Sequence, residues 1–251
     1  MAIEQRERAP STIPAMVSAQ TAFHRKVEGR FGLVPNFFTT AKDAPEIVEK
    51  LWDFATSAYL DNPMPSLFKE RLFVFLSRFC QVRYCIVRHC GFLVGYGHSS
   101  GDAEAAPQTI EQVVKLLTVP SPWKRPLAPI YERLGRAKPP IAWPEPGSDM
   151  EDCVFAAATV IFVDPTRSEQ ARQVLRHALG GRHFEFLLAL LAFIRAAHFW
   201  TVVHPGLAIE DDMRELMAKH ANLASLLLQD PDLPDAIPSE APRPDRAVAR
   251  S

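Results

Sequence analysis

Along this chain, apolar residues recur at spacings of three and four, in stretches separated by short turn signals. Residues 12 to 118 follow that pattern, residues 119 to 149 abandon it, and residues 150 to 228 resume it. Asp43-Ala-Pro-Glu46 offers an N-cap, a first-turn proline and a first-turn acid ahead of Ile47, Val48, Leu51, Trp52 and Ala55. Ser66 is placed to cap a helix carrying Leu67, Phe68, Leu72, Phe75 and Phe79. Thr166-Arg-Ser-Glu169 has capping-box spacing before Ala171, Val174, Leu175 and Ala178. Gly180-Gly181 ends that helix, and His183 opens a more apolar one that runs to about His204-Pro205-Gly206. No Asn-Gly or Asp-Gly pair joins two β-branched runs, so the strongest hairpin signal is missing. The pattern predicts an all-α fold of roughly seven to nine helices.

The interruption has a cause. Eight prolines fall between 119 and 149, which forbids long helices over most of that stretch. From Pro231 the chain is rich in proline and poor in apolar side chains, the composition of a disordered tail. The expected organisation is an N-terminal arm (1–14), a helical domain (15–228) with a Pro-rich crossover at 119–149, and a tail (229–251).

Charge and composition remove several classes of function. A formal net charge of −1, with basic residues scattered among acids, gives no footprint for nucleic acid or an anionic membrane. The apolar run 184–203 is broken by Glu185, Arg195 and His198, which favours a core helix over a membrane span. The first residues show no apolar signal segment, and the four cysteines then point to a reducing, cytoplasmic setting. No Gly-x-Gly-x-x-Gly or Walker-type loop is present, so no nucleotide cofactor is expected. His198 is expected to be a hydrogen-bonded core histidine, because a buried polar group needs a partner.

The densest polar chemistry lies between Ser66 and His98. The first helix there places Glu70 in its first turn, and the second begins near Arg83 or Tyr84. Within the second, Cys85 and His89 stand at i and i+4 and share a face. Cys85 also falls in its helix's first turn, where free N–H groups and the helix dipole favour a thiolate. An imidazole one turn on can take that proton, and a carboxylate from the preceding helix can orient the imidazole. The same spacing is also what two core residues and a favourable first-turn acid would give. Cys80, Cys85, His89 and Cys90 lack the paired Cys-x-x-Cys spacing of a zinc site, so no metal is expected. Cys90 points about 140° away from Cys85 around the helix. Cys80 lies in the turn and approaches Cys85 only if the backbone bends toward it.

These residues resemble a known family. Glu70, Cys85 fifteen residues later and then His89 resemble the motif of the alkylhydroperoxidase D and carboxymuconolactone decarboxylase superfamily. Phe31-Gly-Leu-Val-Pro-Asn-Phe-Phe38 is similar to the leader before that family's core helices, and the segments 153–163, 169–180 and 184–203 are similar to the closing helices of its peroxidase-related members. The resemblance covers about residues 15 to 207. It implies an alkylhydroperoxidase-D-like helical fold, assembly as a homo-oligomer, and reduction of hydroperoxides through Cys85. Glu70 and His89 would move protons, with Cys80 or an external thiol as reductant. Val82 stands where the family's first motif cysteine is expected, so the usual Cys-x-x-Cys disulfide cannot form. Two alternatives follow: a cofactor-free decarboxylase using Glu70 and His89, and a non-catalytic ligand-sensing module. The stretches 88–97 and 220–231 are similar to sensory modules joined to bacterial signalling kinases, which implies a free-standing or partnered module.

Overall fold

The computed structural model describes residues 13–228, with side-chain environments from residue 20 onward. The tail expected after Pro231 and most of the N-terminal arm lie outside the described residues. Among the described residues all regular structure is helical. The chain is all-α, with more helices than the pattern suggests: α1 (Ile13–Phe31), α2 (Pro45–Ala55), α3 (Ser66–Phe79), α4 (Arg83–Leu93), α5 (Ile110–Thr118), α6 (Ala128–Arg136), α7 (Asp149–Val163), α8 (Glu169–Val202), α9 (Asp211–Lys219) and α10 (Ala221–Leu228). The extra ones are short. The proline-rich segment holds α6, opened by Pro129 in its first turn, where a missing N–H costs nothing.

α3 and α4 pack against each other at the centre, and α6, α7 and α8 pack together beside them. Phe68 through Ser77 of α3 are all buried, as is α4 from Tyr84 to Leu93 apart from His89. Helices buried on every side lie in the core, and these two carry the candidate site. α8 breaks its helical dihedrals at Gly180 (φ 75°, ψ 158°), the place predicted for a helix end. An L side chain resists that conformation and glycine does not. Beyond the break, Phe184, Leu187, Leu190, Leu191, Ile194 and Ala197 face the core.

Several caps differ from expectation. Ala44, not Asp43, is the N-cap of α2, and its side chain makes no cap. Ser66 is the first residue of α3 rather than its cap, and its hydroxyl donates instead to Asp102 (2.7 Å). Glu70 therefore sits one residue past the first turn. The 166–169 box does not form, because Asp164 accepts the Arg167 amide and a separate 3-10 turn (Pro165–Arg167) precedes α8. Short polar side chains there had a nearer competitor. True caps appear at Thr109, whose hydroxyl and Gln112 exchange bonds in a capping box, and at Ser148 before α7.

One buried ion pair ties α3 to α7. Arg71 donates through Nε and Nη2 to the two oxygens of Glu151 (2.7 and 2.6 Å), and its Nη1 donates to Gln108 (2.9 Å). Two-point geometry and a satisfied third donor are what make a buried pair tolerable.

Candidate functional site

Two of the predicted residues, Glu70 and His89, meet at the α3–α4 contact, and Cys85 shares a cavity wall with His89. Glu70 is fully buried, and its Oε1 lies 2.5 Å from His89 Nδ1. Its other oxygen accepts from the Tyr59 hydroxyl and from the Ser100 amide (2.9 Å), with the Ser100 hydroxyl at 3.0 Å. The Tyr59 hydroxyl and the Ser100 amide donate to this carboxyl, and the Ser100 hydroxyl shares its one proton between it and the Ser66 carbonyl (3.0 Å each), an arrangement that suits an acceptor-only carboxylate.

Tyr59 and Ser100 were not visible in the sequence. Tyr59 comes from a one-turn π-helical segment (Thr56–Leu60) appended to α2, a deviation with no clear sequence signature. Ser100 lies in a 3-10 turn (Ser99–Gly101) at φ 50°, ψ 33°, left-handed backbone that a serine adopts only when its surroundings fix it. Its amide and hydroxyl on Glu70 supply that fixing.

The His89 ring is set by contacts on two sides. Phe73 stacks on it at 3.6 Å between ring centres and 17° between planes, while Tyr59 and Phe92 meet it edge-on. With Nδ1 on Glu70, the remaining nitrogen, Nε2, has no hydrogen-bond partner among the described residues. His89 lines a cavity of about 30 Å³ together with Phe31, Phe37, Tyr59, Phe73, Cys85 and Phe193. That is room for about two water-sized groups, and its wall is dominated by aromatic rings.

Cys85 is in that wall, but its chemistry departs from expectation. Its sulfur pairs with the Thr201 hydroxyl of α8 (3.6 Å) and is buried. Burial pushes the thiol up to about 12, and the Thr201 bond only partly offsets this. The first-turn position predicted an acidified thiol; desolvation outweighs the helix dipole here because Tyr84, Cys85 and Ile86 of that turn are buried. Cys80 is exposed at the end of α3, and all four cysteines are free thiols. Val82 is buried in the α3–α4 turn.

His198 is a core histidine, as expected, with an unexpected feature. Its Nε2 is 2.7 Å from the Ser77 hydroxyl, which itself donates to the Phe73 carbonyl (2.7 Å). The imidazole therefore donates through Nε2–H, and Nδ1 is buried with no partner. Desolvation holds this imidazole down at about 3, so it is neutral.

A second polar set anchors the outer wall of the cavity. Tyr84 donates to Glu210 (2.6 Å) and accepts from the Phe37 amide (3.0 Å). Glu210 also accepts from the Asn36 amide (2.7 Å), while Arg88 engages both oxygens of Asp212 (3.1 and 2.9 Å). The leader segment is thereby fastened to α4 and to the start of α9. Among the described residues no group of three or more His, Cys, Asp or Glu side chains is arranged to hold a metal.

Compared with family models, with curated proteins and with solved structures, the chain finds no match in any of the three.

Proposed function

We propose that this chain is an alkylhydroperoxidase-D-like helical module that binds a small neutral ligand at His89, with Glu70 setting the proton on that imidazole, and that it serves to sense the ligand rather than to turn it over through a thiol. The observation that carries this reading is the division of roles around the cavity. The His89 imidazole lines the cavity and makes no hydrogen bond through Nε2 among the described residues, whereas the thiol beside it is buried, shared with Thr201 and held protonated. Charged ligands are disfavoured because Arg88 is already paired with Asp212 and Glu70 is surrounded by its own donors. Desolvating a further charge against aromatic walls would cost several kcal/mol.

A second reading is thiol-dependent hydroperoxide reduction by Cys85, favoured by one observation: Cys85 and His89 line the same cavity. Its nucleophile would have to pass its proton to His89 before attack, since the thiolate reacts and the thiol does not. The resemblance in the motif supports either activity on this fold, and assembly as a homo-oligomer belongs to the same proposal.

The two separate in one experiment. The protein is given hydrogen peroxide with excess dithiothreitol, and in parallel its histidine ring signals are followed by NMR with methanol or formate. The sensing reading expects peroxide loss no faster than with Cys85→Ser, and a methanol-dependent shift of the His89 signals that formate does not produce. Peroxide consumption that disappears in Cys85→Ser would replace it with the peroxidase reading.

A further inference from the structure

Tyr59 reaches Glu70 from a turn that is held in an unusual way. Lys69, the residue before Glu70 in α3, is buried, and its Nζ donates to three carbonyl oxygens: Tyr59 (2.7 Å), Leu60 (3.0 Å) and Asn62 (3.0 Å). The same ammonium lies 5.9 Å from the centre of the Tyr59 ring. Consecutive residues of α3 thus hold Tyr59 at both ends, Lys69 by its backbone and Glu70 by its hydroxyl.

We propose that Lys69 is a positioning residue that regulates the site: its ammonium fixes the 56–60 turn so that Tyr59 shares the Glu70 carboxylate with His89, and loss of the ammonium changes the proton affinity of His89. The proposal rests on the Glu70–His89 pair being the working centre, not on which ligand it receives.

The physical basis is a match of three donors to three acceptors in a place water does not reach. The carbonyls at the end of a helical turn have no partners of their own, and an ammonium supplies three protons where an amine supplies two. The ionisable groups acting on Lys69 are Glu70 in its own helix, Arg30 at the end of α1, Asp61 after the turn, and Asp102 after the Ser99–Gly101 turn. Arg30 and Asp61 pair with each other (2.8 Å). Burial outweighs these neighbours and brings Lys69 down to about 8, so the third proton is lost within an accessible pH range. Tyr59 keeps its proton throughout, because burial and Glu70 hold the phenol well above its usual range.

The test follows the His89 ring signals of the whole chain by NMR against pH. Fewer donors on Glu70 leave more of its charge to act on the imidazolium, so Tyr59→Phe should move the His89 midpoint upward by roughly half a pH unit. Lys69→Met is expected to move it in the same direction, and the double variant no further than Tyr59→Phe alone, because Lys69 acts through Tyr59. A folded Lys69→Met with an unchanged midpoint, or effects that add in the double variant, would overturn the proposal. The unaltered protein gives a check that needs no variant: Tyr59 and His89 signals should show a shared step near pH 8, and its absence also overturns it. Failure of methanol to bind would leave these titrations intact, so the two proposals fail separately.

Discussion

Glu70 and His89, nineteen residues apart and on different helices, bring Oε1 and Nδ1 to 2.5 Å inside the core. A buried carboxylate on one ring nitrogen fixes the tautomer and leaves the other nitrogen for chemistry. The remaining features of the site follow from that contact: Tyr59 and Ser100 occupy the far oxygen, and Phe73 holds the ring plane.

Removing the carboxylate should be expensive. Glu70→Ala strips the acceptor from the Tyr59 hydroxyl, the Ser100 amide and His89 at once, and it leaves a void in the α3–α4 contact. A loss of about 3 kcal/mol or more is expected in urea unfolding. Glu70→Gln keeps the volume and should lose less, although its amide faces a donor. Equal losses for the two would contradict this, because they would show that the volume and carbonyl kept by glutamine contribute nothing.

Acid sensitivity should trace to His198. Its folded-state value of about 3 lies below the ordinary 6.5, so the unfolded chain binds a proton that the folded chain refuses. Its contribution is therefore full above about pH 6.5 and is lost as pH falls from there toward 3. Linkage sets the upper limit at about 5 kcal/mol. His198→Gln should flatten the stability profile across that window by comparison with the unaltered protein. An unchanged slope would place the acid sensitivity elsewhere.

Thiol labelling should divide the cysteines by exposure. Cys85, Cys90 and Cys153 are buried and Cys80 is exposed; burial raises all four thiols, Cys85 to about 12 and Cys80 to about 11, so access rather than acidity separates them. Native protein treated with iodoacetamide at pH 8 should carry label on Cys80 alone by mass spectrometry, and all four should be labelled after unfolding. Rapid native labelling of Cys85 would mean that the thiol is open and acidic.

The helical pattern made much of this legible. Periodicity alone indicated an all-α chain, the Gly180 break and the helices bearing Glu70, Cys85 and His89, because spacing of three and four reports which face is buried. Caps were read less well: Ser66 and Thr166 carry the right side chains but bond to Asp102 and Asp164 instead, and α2 starts one residue later than Asp43 would cap it. The sequence also misjudged Cys85. A first-turn cysteine looks activated on paper, and only the packing of α8 against α4 shows that desolvation prevails. Tyr59 and Ser100 were out of reach because π-helical and left-handed turns are set by the contacts they make, not by local residue preference.

The central claim is that His89 donates its Nδ1 proton to the Glu70 carboxylate and leaves Nε2 without a protein partner. Nitrogen-15 NMR of the imidazoles, assigned with His89→Gln and recorded well above the ring's midpoint, reads this directly. The account predicts a protonated Nδ1 with a low-field proton that disappears in Glu70→Gln, and an unprotonated Nε2. A His89 ring protonated at Nε2, with no low-field Nδ1 proton, would contradict it.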